Sequence, residues 1–76
     1  MDTQTVIVFP NFASALGGAQ SARIGVRFAW VTLAAGGVIR VSRKHLPTDP
    51  RDWTAFTLAD TAERLAYRGE AKRVQS

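Results

Sequence analysis

Across residues 23–30 the side chains alternate. Ile24, Val26, Phe28 and Trp30 fall on one side, and Arg23, Gly25, Arg27 and Ala29 on the other. Period two over eight residues specifies a half-buried β-strand. Ala34-Ala35-Gly36-Gly37 follows, a run that accepts a tight turn, and residues 38–43 return as the hairpin partner. A hairpin with one apolar and one basic face is the unit around which the rest must fold.

Register decides where the charge goes. A two-residue turn at Ala35-Gly36 pairs Trp30 with Val41 and Arg27 with Lys44; a turn at Gly36-Gly37 pairs Trp30 with Arg43. Either way Ile24, Val26, Phe28, Trp30, Ile39 and Val41 share the core side. Arg23, Arg27, Arg40 and Lys44 share the outer side with Ala29 and Ser42. A three-residue loop would set Arg40 behind Trp30 and bury a charge, which disfavours it. The expectation is an arginine-rich outer face with the aromatics inside.

The flanking segments complete the plan. Thr5-Val6-Ile7-Val8-Phe9 reads as a strand, apolar on both sides and so central or covered, closed by Pro10-Asn11. Asn11 can cap one helical turn ending at Gly17, with a loop the equal alternative. His45-Leu46-Pro47-Thr48-Asp49-Pro50 is a connector, and Asp49-Pro50-Arg51-Asp52 carries the signals of one short helical turn. Trp53-Thr54-Ala55-Phe56 is either a fourth strand or a continuation of that turn. A helix is expected from Thr57, with Leu58, Ala62, Leu65 and Ala66 on one stripe, Asp60 and Arg64 paired, and its end at Gly69. Residues 70–76 read as a flexible basic tail. The predicted fold is α+β: a small antiparallel sheet of three to four strands with one C-terminal helix packed on one face, in a single domain spanning residues 1–76.

Size and composition narrow the function classes. A chain of 76 residues buries only about 60% of the surface its unfolded form exposes. It has no cysteine, which excludes a disulfide scaffold and a thiolate metal site. The longest apolar-rich stretch, residues 28–39, has 12 residues and two glycines, short of the roughly 20 a membrane span needs. Met1-Asp2-Thr3-Gln4 is polar and acidic where a signal peptide is basic, so a cytoplasmic chain, monomeric or homodimeric, is expected.

Charge is concentrated. Residues 1–22 carry −1, residues 23–44 carry +5, and residues 45–76 carry 0. The whole excess lies in Arg23, Arg27, Arg40, Arg43 and Lys44, the candidate binding residues. A localised basic stripe attracts nucleic acid, phosphate or an acidic protein surface. Eight of the ten bases are arginine, the residue suited to bidentate phosphate or carboxylate contact.

Catalytic motifs are missing. His45 is the sole histidine; Asp49 and Asp52 stand near enough in sequence to orient it, but no nucleophile accompanies them. Asp49, Asp52, Asp60 and Glu63 have no metal-ligand spacing, and Gly17-Gly18-Ala19-Gln20-Ser21 lacks the lysine of a phosphate-binding loop. A non-enzymatic protein without cofactor or metal is expected. Outward aromatics among the arginines would make a stacking platform for single-stranded nucleic acid. With the aromatics assigned inward, phosphate contact is what remains.

Two resemblances add to this. Arg23-Ile24-Gly25-Val26-Arg27, with Ala59-Asp60-Thr61-Ala62-Glu63-Arg64-Leu65-Ala66-Tyr67, resembles the GVR strand and acidic-alanine helix of AP2-type DNA-binding domains, covering about a quarter of the chain. That resemblance implies DNA contacts at Arg23, Arg27 and Arg40. It departs at residues 38–43, which hold no aromatic. The whole plan, a tiny cysteine-free α+β chain without a catalytic set, resembles small phage-encoded anti-CRISPR proteins acting on type I systems. That resemblance implies an inhibitor in the host bacterial cell that binds an acidic protein surface or a guide-RNA-bearing effector complex and blocks target DNA. No motif defines that group, and many members are acidic DNA mimics, unlike this basic chain. A phage assembly protein that oligomerises through the hairpin edge is the third reading.

Overall fold

A computed structural model describes residues 5–74. Five strands form one antiparallel sheet in chain order: β1 (Thr5–Val8), β2 (Ala19–Ile24), β3 (Phe28–Leu33), β4 (Val38–Ser42) and β5 (Lys72–Val74). Helix α1 (Asn11–Ala15) bridges β1 and β2, and helix α2 (Ala55–Tyr67) lies across β2, β3 and β4. Two 3₁₀ turns, Arg43–His45 and Pro50–Asp52, fill the connector between β4 and α2. None of the described helices is long and apolar enough to cross a membrane.

The strand count corrects the three to four expected. Residues 70–76, expected as a tail, contribute Lys72–Val74 as an edge strand paired with β4; residues 75 and 76 lie outside the described part. The expected long strand divides in two, because Gly25, Val26 and Arg27 form the turn between β2 and β3, closed by Gly25 N–H donating to the Phe28 carbonyl at 2.8 Å. Strand β1 is an edge rather than central, with Val6 and Val8 exposed. Its position follows from topology: β1 pairs only with β2, so one of its edges stays open.

The hairpin loop is a further correction. Thr32 pairs with Val38 and Trp30 with Arg40. Leu33 N–H donates to Gly37 C=O at 2.8 Å, leaving Ala34, Ala35 and Gly36 as a three-residue loop. Gly36 N–H donates back to Leu33 C=O at 2.9 Å with Gly36 at φ +101°, the left-handed residue that three-residue hairpin loops require. This register sets Arg40 beside Trp30 without burying a charge, because both lie on the face that the helix leaves uncovered.

The core is therefore on the opposite face from the one expected. Ala22, Ala29, Val31, Leu33, Ile39 and Val41 are buried under α2, while Phe28, Trp30, Thr32, Arg40 and Ser42 line the other side. A β-bulge at Gln20 lets both Ala19 and Ala22 face inward although they stand three apart. The Gln20 side-chain amide donates to the Leu33 and Ala34 carbonyls at 3.0 and 3.1 Å, tying the bulge to the hairpin loop.

Helix α2 starts two residues before the position expected. Thr54 is the N-cap, its hydroxyl accepting from Thr57 N–H at 3.1 Å, and Ala55 and Phe56 are already helical. Buried residues Ala55, Leu58, Ala59, Ala62 and Leu65 recur at helical spacing. Gly69 N–H donates to Ala66 C=O and Glu70 N–H to Leu65 C=O, the paired bonds that close the last turn. Asp49 caps the second 3₁₀ turn, and the Arg51 guanidinium and backbone N–H hold its carboxyl below the ordinary 3.8.

Ala59 and Ala62 on the helix face a sheet whose buried positions include Ala19, Ala22 and Ala29. Small residues on both sides leave no room for growth. Ala62→Leu should lower unfolding free energy by about 1–3 kcal/mol through overpacking, read from urea titration; Glu63→Leu, one position along on the exposed face, should shift it by less than about 0.5 kcal/mol. Equal effects would contradict the packing.

Candidate functional site

Antiparallel register sets directly paired residues on the same face. Val6 pairs with Arg23, Arg23 with Trp30, Trp30 with Arg40, and Arg40 with Lys72. The open face thus carries one straight row across all five strands, with Trp30 at its centre, an arginine on each side and a lysine at the edge. A second row runs Val8, Ser21, Thr32, Val38 and Val74. Phe28 and Ser42 begin a third. Outward strand positions carry three cations and no acid.

The aromatics and arginines of this face are interleaved. The Arg23 guanidinium carbon lies 4.7 Å from the Trp30 ring centroid, and that of Arg40 lies 4.4 Å from the Phe28 centroid. The two rings are 6.4 Å apart and inclined at 57°. Each guanidinium stacks on a ring, and Arg23 stays exposed while Arg40 and both rings are half-buried. Gly25 makes room for this: a Cβ there would fall 2.8 Å from the Trp30 ring and 3.0 Å from the Phe28 carbonyl oxygen. The break at Gly25 that divides the strand thus also seats the tryptophan.

Of the five arginine and lysine residues expected in the site, Arg23 and Arg40 belong to the central row. Arg27 is exposed in the β2–β3 turn and Lys44 on the first 3₁₀ turn, both at the sheet end that carries Phe28 and Ser42. Arg43 is employed differently. Its guanidinium donates to the Gly25 and Thr48 carbonyls at 3.1 and 3.3 Å and lies 5.6 Å from the buried Trp53 ring. It braces the β2–β3 turn against the connector.

Three residues escaped sequence reasoning. Phe28 and Trp30 had been assigned to the core, and Lys72 to the tail. The signal for the first two was Ala29, Val31 and Leu33, an equally regular apolar set on the opposite parity. Lys72 carried none, since Lys72-Arg73-Val74 has no strand signature.

Ion pairs do not neutralise the row. Among the described residues the salt bridges are Arg51–Asp49 and Arg64–Asp60, both away from this face. Arg40 and Lys72 stand directly opposite one another, a like-charge arrangement, and Glu70, which lines the same hollow as Phe28, Arg40 and Lys72, is the acid beside them. Among the described residues no group of three or more His, Asp or Glu side chains could hold a metal ion. His45 is exposed, and Asp49 is engaged by Arg51 rather than by the histidine.

Comparison with protein-family models, curated proteins and solved structures finds no match to this chain. In the AP2-like segments, Gly25-Val26-Arg27 is a turn instead of a strand, whereas Asp60 to Tyr67 does lie in α2.

The two kinds of arginine separate by stability. Arg43→Ala should cost about 1.5–3 kcal/mol, as expected for hydrogen bonds from a charged donor. Arg23→Ala should cost about 0.5–1 kcal/mol, the scale of an exposed cation–π contact. Thermal and urea unfolding of the two variants checks this; the reverse order would contradict the assignment of Arg43 as a brace.

Proposed function

We propose that this chain is a nucleic-acid-binding module that acts by binding rather than catalysis, using the open face of its sheet. The observation that carries this is the row Arg23, Trp30, Arg40, Lys72, with no acid at any outward strand position. Cations supply phosphate contacts, and the guanidinium planes held on Trp30 and Phe28 supply surfaces on which bases stack. Arg27 and Lys44 extend the positive surface at one end. The chain would act in the bacterial cytoplasm, as a monomer or homodimer, without a cofactor.

A second reading uses the same face against a ribonucleoprotein. Val6 and Val8 are exposed on the open face, along the edge strand β1. An apolar margin of that kind suits a protein partner better than a phosphate backbone. On this reading the chain inhibits a type I CRISPR effector complex, as the anti-CRISPR resemblance implies, by docking on guide RNA or acidic protein and obstructing target DNA.

Titration against labelled oligonucleotides at 50 and 200 mM salt tests the first reading. Each phosphate contact contributes about 0.7–0.9 to the slope of log affinity against log salt. Arg23→Ala with Arg40→Ala should therefore flatten the slope by about 1.5, while Arg64→Ala on the far side of the helix leaves it unchanged. An unaltered slope in the double variant overturns the placement. If no oligonucleotide binds, yet the chain blocks target DNA binding by a purified type I complex and the double variant does not, the second reading stands instead.

A further inference from the structure

A concavity of about 320 Å³ opens on the sheet's outer face beside the central row. The Trp30 ring and the Val6, Val38 and Val74 side chains line its apolar part, and Arg23 borders it. Ser21 and Thr32, directly paired across β2 and β3, contribute hydroxyls. Its volume is at the lower end of small-ligand sites, ample for one planar heteroaromatic ring and too small for a base pair with its sugars.

We infer that this concavity receives a single unstacked nucleobase, and that the ligand of the open face is single-stranded nucleic acid rather than duplex. This rests on the nucleic-acid reading above and specifies its substrate. Three features support it. The Trp30 ring and the Arg23 guanidinium stacked on it offer planar surfaces against which any base can stack. The two hydroxyls can each donate and accept, which matches the mixed donor and acceptor edge of a base that is not paired. Arg23 borders the concavity while stacked on Trp30, so a phosphate next to the seated base meets a cation already held in place.

Width argues against duplex. Five strands spaced about 4.8 Å apart make a face about 19 Å across, whereas the B-DNA major groove is about 12 Å wide and admits a helix or a two-stranded ribbon. Trp30 lies on β3, the central strand, so β1 and β5 would strike the groove walls before the row reached base edges. A single strand has no walls. It can cross the row with one base turned into the concavity and its backbone along Arg23, Arg40 and Lys72.

Binding is compared for four 15-nucleotide probes: oligo(dT), oligo(U), a mixed-sequence duplex, and an abasic deoxyribose-phosphate strand. Oligo(dT) or oligo(U) should bind about 5- to 100-fold tighter than the abasic strand, the range that stacking of one base on an aromatic ring supplies. The ratio between oligo(dT) and oligo(U) shows which sugar is preferred. Val38→Met, which extends a non-aromatic side chain into the concavity and leaves every cation in place, should reduce the advantage over the abasic strand and keep the salt slope. Thr32→Val, nearly isosteric, should reduce affinity for base-bearing strands about 3- to 10-fold, the loss of one hydrogen bond, without affecting the abasic strand. Equal binding of all four probes, or an undiminished advantage in Val38→Met, would overturn the base site while leaving the nucleic-acid reading intact. Binding by none of them would remove that reading as well.

Discussion

The contact between α2 and the sheet interleaves alanines with Val31, Ile39, Val41, Leu58 and Leu65, and the rest of the molecule follows from it. Ala59 and Ala62 on the helix meet a sheet face with Ala22 and Ala29 at its buried positions. Small side chains let the two backbones approach closely, so a core of modest volume can still be filled without voids. With Ala29 and Val31 directed to the helix, strict alternation along β3 sends Phe28, Trp30 and Thr32 to the other side. The aromatic, cationic face is thus the complement, by alternation, of the face that α2 covers.

That consequence explains why the hairpin was legible and its orientation was not. Period-two alternation and the Ala-Ala-Gly-Gly run mark two strands and a turn, and both are present. Strand β3, however, reads Phe28-Ala29-Trp30-Val31-Thr32-Leu33, apolar on both parities. Alternation sorts residues into two faces and is silent on which one a helix covers. Side-chain size favours the larger set as core, whereas close approach of α2 favours the smaller. Alternation across Ile24, Val26 and Phe28 also misled, because Gly25 to Arg27 form a turn and the parity resets. Ile24 packs against the core and Phe28 faces away from it.

Local helix chemistry was more transparent. Thr54, Asp49 and Gly69 carry caps and termini whose physics involves only neighbours in sequence, so the helix stripe, the Asp49–Arg51 turn and the Asp60–Arg64 pair were readable, with α2 starting two residues ahead. The fifth strand depends on tertiary context. Lys72 to Val74 are extended because the helix ends beside the open edge of β4, which offers hydrogen-bonding partners to whatever follows. The candidate site inherits this split. Arg23 and Arg40 were visible as charge, their aromatic partners were assigned to the wrong face, and Lys72 could be placed only once β5 was known.

The resulting face has an energetic imbalance. Stacked guanidinium groups shield Trp30 and Phe28 from water, which offsets part of the cost of exposing large rings. The same groups bring Arg23, Arg40 and Lys72 into one row that no salt bridge among the described residues neutralises, with Glu70 beside its Arg40–Lys72 end and Arg40 and Lys72 repelling across a strand pair. A chain this short has little stability in reserve, and the shielding could be achieved with fewer cations. A threonine at position 72 would suit an edge strand at least as well. A polyanion reverses the sign of each of these terms together: it neutralises the row, releases counterions, and covers the rings with its own bases. On the proposed function, a liability in the free chain is what a polyanionic ligand would turn into complementarity.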